Sequence, residues 1–156
     1  MAEYTISLQA TSNATASTDD QLVEIKNAAG MSTLVKRVVV SFPITVPVDQ
    51  ESQVRVVRNS AAGAGGSAFV PLKRRQNAPS SAATVQIKNG TASFTTGANT
   101  DTVKRVAVNT RSVFEWIARD EYDYIEAVPG TGGYIAVVAQ ISTASQLVNC
   151  DVDWEE

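Results

Sequence analysis

Residues 33–42 read Thr33-Leu34-Val35-Lys36-Arg37-Val38-Val39-Val40-Ser41-Phe42, and Pro43 follows. β-Branched residues dominate the segment; they are stiff at χ1 and pack well on a pleated surface. On an extended chain Leu34, Val38, Val40 and Phe42 share one face, with Lys36 interrupting it. The segment predicts a strand with one apolar face.

The pattern repeats in both directions. In residues 3–10, Tyr4, Ile6 and Leu8 alternate with Thr5, Ser7 and Gln9, the period of a half-buried strand. Residues 11–20 are small and polar and read as a loop. Residues 22–26 read as a short strand ended by Asn27-Ala28-Ala29-Gly30, although Leu22, Val23 and Ile25 fit a helical turn equally well. Downstream, Pro43 and Pro47 confine 44–48 to an edge strand or a loop. In 53–58, Val54 and Val56 face one way and Gln53, Arg55 and Val57 the other. Gly63, Gly65 and Gly66 make 59–67 a flexible surface loop, and 69–72 rejoins a sheet.

Residues 84–95 predict a hairpin, because Asn89-Gly90 supplies the two positive-φ positions of a type I′ turn. Strands over 102–108, 113–118 and 124–128 follow, then a turn at 129–133. Residues 134–141 and 147–154 are expected to close the chain as an antiparallel pair. The total is about nine or ten strands joined mostly by short turns, which indicates an all-β sandwich or barrel in one domain, 1–156. The expected core is Ile6, Leu8, Leu34, Val38, Val40, Val54, Val56, Ile87, Phe94, Val106, Val108, Phe114, Trp116, Ile135, Val137, Val152 and Trp154.

Composition agrees with a folded sheet protein. Hydrophobic residues make up 44% of the 156, too many for a chain disordered throughout. Leu is scarce, where a helical domain would be rich in it. The net charge of −3 argues against nucleic acid as partner. The lone Cys150 excludes an intrachain disulfide and suits a reducing compartment. The start of the chain shows no signal-peptide pattern, and no apolar run approaches the ~20 residues of a membrane-spanning helix.

The chain has no histidine. That removes the commonest general base, the histidine-dependent nucleophile systems and the usual zinc ligand. No phosphate-binding, dinucleotide or EF-hand motif is present. Asp120, Glu121, Asp123 and Glu126 form the one acidic cluster. It reads as a solvated turn, with a calcium site as the sharper alternative; no cofactor is expected. Asp151, Asp153 and Glu155 alternate with Val152 and Trp154, which gives an outward acidic stripe that meets a basic neighbour or repels edge pairing. Cys150 shares the inward side with Val152 and Trp154 and reads as a small core residue.

Lys73, Arg74 and Arg75 are the one basic run, placed to meet nucleic acid, although no stacking aromatics flank it, to meet an acidic patch on another subunit, or to remain a solvated loop. Val35, Val39 and Val57 fall opposite the faces assigned to the core, and Val113 and Ile117 oppose Phe114 and Trp116. Such exposed apolar residues mark a contact surface, which closed symmetry is expected to bury.

Arg111-Ser-Val-Phe-Glu-Trp-Ile-Ala, the acidic turn, Ala127-Val-Pro-Gly, the long Val/Ala strand and the terminal Val-Asp-Trp-Glu-Glu together resemble small structural proteins of tailed bacteriophages. The first strand and the segment Lys36–Phe42 fit the same style. Within that group the nearest class is the head decoration, or cement, proteins. The resemblance implies a jelly roll, with an immunoglobulin-like sandwich as alternative. It implies a trimer on the exterior of the virion capsid, assembled in the host cytoplasm, that clamps the major capsid protein, with no membrane partner. A tail, neck or fibre component is the second expectation. A carbohydrate-binding module is the third, in which Trp116, Trp154, Tyr122, Tyr124 and Tyr134 would form a stacking platform.

Overall fold

The computed structural model describes residues 1–11, 16–43, 49–90, 92–127, 133–142 and 146–156. Segment 44–48 and most of the turn expected at 129–133 lie outside them. The strands are β1 (Glu3–Thr11), β2 (Asp19–Lys26), β3 (Thr33–Ser41), β4 (Glu51–Asn59), β5 (Ser67–Phe69), β6 (Leu72–Lys73) and β7 (Thr84–Ile87). They continue as β8 (Asn99–Asn109), β9 (Val113–Ile117), β10 (Ile125–Ala127), β11 (Tyr134–Gln140) and β12 (Leu147–Glu155). The helical content of the described residues is one 3₁₀ turn, Glu121–Asp123.

Two antiparallel sheets pack face to face. The first runs β10-β3-β12-β1-β6, with β9 also pairing β3; the second runs β5-β7-β2-β11-β4-β8. Setting β5–β7 aside and counting β9 with β10 as one broken edge strand leaves eight strands. Their orders are first-eighth-third-sixth and second-seventh-fourth-fifth. This is the jelly-roll order, in which successive strands mostly change sheet; an immunoglobulin-like sandwich keeps more of its consecutive strands side by side.

The alternation therefore corrects the expected closing pair. β11 lies between β2 and β4, and β12 lies between β1 and β3, in the other sheet. Both are central strands, so their near-continuous apolar character reflects position in a sheet rather than pairing with each other.

The stretch 33–42 forms β3, but its faces change partway along. The register against β12 passes from Arg37↔Asp153 to Val35↔Trp154, which leaves Lys36 as the extra residue of a β-bulge. Val38, Val40 and Phe42 point into the core as expected. Before the bulge the phase inverts, so Val35 is fully buried and Leu34 is half-exposed. Val35 is thus a core residue and not a contact residue.

The inter-sheet core gathers Tyr4, Ile6, Leu22, Ile25, Val38, Val56, Ile135, Val152 and Trp154, with the Tyr4 and Trp154 rings 5.8 Å apart. Cys150 is buried there, and burial raises its thiol pKa. Ile87 and Trp116 pack at the margin of this cluster, and Val106 is 41% exposed on the edge strand β8.

The expected hairpin at 84–95 does not form. β7 already pairs with β2 on one side and β5 on the other, so no edge is left for a returning arm. Gly90 has a positive φ, but Asn89 does not, so the turn is not type I′. Phe94 is fully buried nonetheless, outside the inter-sheet cluster and against Gly63 and Gly66.

Residues 60–98, between β4 and β8, form one long excursion that carries β5, β6 and β7. β6 covers the edge of β1, while β7 and then β5 extend the sheet beyond β2. Among the described residues the opposite edges, β8 and β9/β10, carry no further strand.

Candidate functional site

The outer face of the second sheet is covered. Val57, Ala136 and Val138 form a fully buried cluster there, beside Gln21 and Glu24 in register with Val138 and Ala136. The Glu24 carboxylate accepts hydrogen bonds from Gln21 Nε2 (2.9 Å) and Gly63 N (2.8 Å), and Gln21 N donates to Phe94 O (3.0 Å). The excursion thus lies over this face. Its glycines serve a fitted cover rather than the flexible loop expected. Gly65 has φ +95°, and a Cβ there would collide with Ser93 O. Val57 is accordingly sealed by its own chain and is not a contact residue.

Among the described residues no strand lies over the outer face of the first sheet, and the pairing registers place its residues in three rows. One row is Ile117-Arg37-Asp153-Thr5-Leu72, the next Glu115-Val39-Asp151-Ser7, and the third Val113-Ser41-Asn149-Gln9. Along β9 the apolar members stand out, with Val113 60% and Ile117 55% exposed, while Val39 is half-buried between Glu115 and Asp151.

Ion pairs bind this face together. Arg37 donates to Glu115 Oε1 through both Nε and Nη2 (3.1 Å each) and reaches Asp153 Oδ2 at 3.5 Å. Arg74 Nη2 meets the same Asp153 oxygen at 2.9 Å. Lys36, pushed outward by the bulge, holds Glu155 at 2.6 Å and Glu3 at 3.1 Å and lies 5.5 Å above the Tyr124 ring. The hydrogen bond to Glu155 raises the Lys36 pKa, and the bond from Lys36 lowers that of Glu3. Exposed pairs of this kind contribute only about 0–1 kcal/mol each. Their structural effect is to fix long side chains in one arrangement.

The acidic stripe of β12 therefore meets basic neighbours within the chain. Asp153 and Glu155 are both buried beneath the cations they pair with. Of the basic run, Arg74 belongs to this network, while Lys73 on β6 and Arg75 remain exposed beside the same face.

The acidic turn does not gather its carboxylates. Asp120 Oδ1 caps the 3₁₀ turn by accepting from Tyr122 N (3.0 Å), and Glu126 lies on β10 opposite Leu34. Glu121 and Asp123 sit within the turn itself. Among the described residues no group of three or more acidic, cysteine or histidine side chains is arranged to hold a metal ion.

The aromatics do not form a platform either. Trp154 is fully buried, Tyr122 is 91% exposed on the turn, and lysines cover the other three. Lys104 lies over Trp116, Lys36 over Tyr124 and Lys26 over Tyr134.

Two hollows are open to solvent, the smaller of them on this outer face. The groove of about 260 Å³ along Lys36, Arg37, Arg74 and Ile117 falls below the ~300–1,000 Å³ of small-molecule sites. A larger one of about 710 Å³ lies beside Tyr4, Met31, Arg75 and Pro79. Two of the polar groups on its wall, those of Tyr4 and Glu156, are engaged with the protein. Tyr4 Oη donates to Pro79 O (3.2 Å), and the Glu156 carboxylate accepts from Ser81 Oγ (2.6 Å), Ala82 N (2.8 Å), Ala83 N (3.3 Å) and Trp154 Nε1 (3.1 Å).

Sequence reading missed Glu3, Lys36, Arg37 and Glu115 as parts of one surface. The alternation Glu-Trp-Ile on β9 and the adjacent Lys36-Arg37 were visible, but the bulge that turns both cations outward was not. Searches of protein-family models, of curated proteins and of solved structures each return no match to this chain.

Proposed function

We propose that this protein is a non-enzymatic structural subunit that decorates the exterior of a tailed-phage head, binding the major capsid protein and stabilising the shell. The observation that carries the proposal is the unequal treatment of the two outer faces. The excursion seals the outer face of the second sheet, while the outer face of the first is cross-braced by Arg37, Lys36 and Arg74, with Val113 and Ile117 at its rim. A broad ordered face with apolar rim residues suits contact with another protein surface. The absence of histidine from the sequence and the engagement of each acid of this face supply no poised general base. The resemblance to phage structural proteins supports the head as the place of attachment, and the homotrimer belongs to the same reading.

Heads of the encoding phage assembled without this chain provide the test. Added protein is expected to co-sediment with them and to raise their thermal stability. Replacing Val113 and Ile117 by Asp should abolish both effects while leaving the protein's own melting temperature unchanged. Association with tails or necks alone would replace the decoration reading with the tail reading, and association with neither would overturn both.

A further inference from the structure

The second sheet ends in β8, whose 11 residues make it the longest of the described strands. It pairs with β4 on one side, and among the described residues no strand pairs with it on the other. Two register shifts interrupt its first half. From Lys104↔Val56 to Asn109↔Glu51 the pairing is unbroken for six residues, roughly 20 Å of regular edge. Along Lys104–Val108 no backbone hydrogen bond is made except to β4. Every second N–H and C=O of this stretch therefore faces outward, a template for one more strand.

The side chains around this edge specify what would fit it. Between the two sheets Val103 and Trp116 are only partly covered, and Val106 is 41% exposed. A strand added beside β8 would lay its inward side chains over these residues, so those positions call for apolar groups. The charge at the edge is positive. Lys104 lies over the Trp116 ring at 5.7 Å, and Arg105 is exposed with no carboxylate in ion-pair range among the described residues. Arg105 stands opposite Arg55 of β4, whose charge Asp19 already takes. Lys104 shares the inward face with Val106, in register with the core residue Val56, whereas Arg105 points outward, so carboxylates on the outward face of the added strand would complete Arg105.

We propose that the free edge of β8, Lys104–Asn109, takes up an extended acidic segment of a partner polypeptide as an additional strand of the second sheet, with apolar residues inward over Val106 and the Lys104–Trp116 contact and carboxylates outward beside Arg105. This goes beyond head attachment and does not depend on it, since the edge acts in solution on any partner of that chemistry.

The probes are two labelled nine-residue peptides, one alternating valine with glutamate and one alternating valine with lysine. They are tested by fluorescence anisotropy and by amide exchange on the full chain. The glutamate peptide is expected to bind about tenfold more tightly than the lysine peptide, in a salt-dependent way. It is also expected to slow exchange at alternate amides of Lys104–Asn109. In the variant Arg105→Glu the preference inverts. Val106→Pro and Ala107→Pro sit at adjacent positions, one N–H facing β4 and the other facing out. The variant at the outward position keeps the native melting temperature and loses peptide binding.

Absence of binding by either peptide up to about 1 mM would show that the cations merely blunt the edge and would overturn the proposal. So would binding that leaves the β8 amides unprotected. Concentration-dependent protection of those amides without peptide would assign the edge to a second copy and overturn it equally. None of these outcomes bears on co-sedimentation with heads, so the two proposals fail separately.

Discussion

The side chain of Lys88 is wholly buried, and so is that of Asp20, 2.8 Å from it. Lys88 Nζ also donates to Ala92 O at 2.6 Å, and its backbone N–H bonds Leu22 O. The pair thus ties the end of β7 and the following turn to the start of β2, where the excursion turns back over the sheet. Lys88→Met keeps the length of the side chain and deletes the charge, leaving the Asp20 carboxylate buried without its cation. Breaking a buried pair on one side costs roughly 3–5 kcal/mol, a fifth or more of the ~5–15 kcal/mol that holds a typical domain together. Replacing both partners, as Lys88→Met/Asp20→Asn, removes the stranded charge, so the double variant should be more stable than the sum of the single changes predicts by about 1–3 kcal/mol. Urea unfolding of the four proteins, followed by tryptophan fluorescence, measures the cycle. A Lys88→Met cost below about 1 kcal/mol, or strict additivity, would refute the claim that this pair is buried and coupled.

Gly65→Ala forces a side chain into a positive-φ position against Ser93 O and should cost about 1–3 kcal/mol by urea unfolding. Glu156→Ala removes the acceptor shared by Ser81, Ala82, Ala83 and Trp154, so about 2–4 kcal/mol should be lost, with new proteolytic cuts between residues 74 and 83. Glu3 is held below its ordinary pKa by Lys36. Its contribution is complete above the ordinary carboxylate value of about 4.3 and drains as pH falls through the lowered folded value. Glu3→Gln should therefore narrow its stability deficit below about pH 4, read from melting temperatures across the acid range.

The sandwich was legible because the segments around Ile6, Val40, Val56 and Val137 announce strands by alternation or by β-branched runs. Turn residues separate them too closely for long helices. The jelly roll itself came from resemblance, because strand order depends on which edges meet across the chain. Local pattern leaves this open: β11 and β12 read equally well as a hairpin and as central strands of different sheets. The candidate surface was half visible. Val113 and Ile117 alternate cleanly with Phe114 and Trp116 on a regular strand. Val35 was misassigned because one extra residue at Lys36 inverts the phase of everything before it. Val57 was misassigned because its cover comes from residues in the excursion that are distant in sequence and rich in glycine. Asn89-Gly90 has the composition of a hairpin turn, yet the edge it would have used is filled by β5.

Electron cryomicroscopy of intact particles that carry this chain tests the proposed head attachment most directly. The account predicts density for the sandwich on the outside of the head, with the face bearing Val113, Arg37 and Ile117 turned toward the major capsid protein and the excursion-covered face turned outward. Density confined to the tail or neck, or a head-bound sandwich that presents the covered face to the shell, would contradict it.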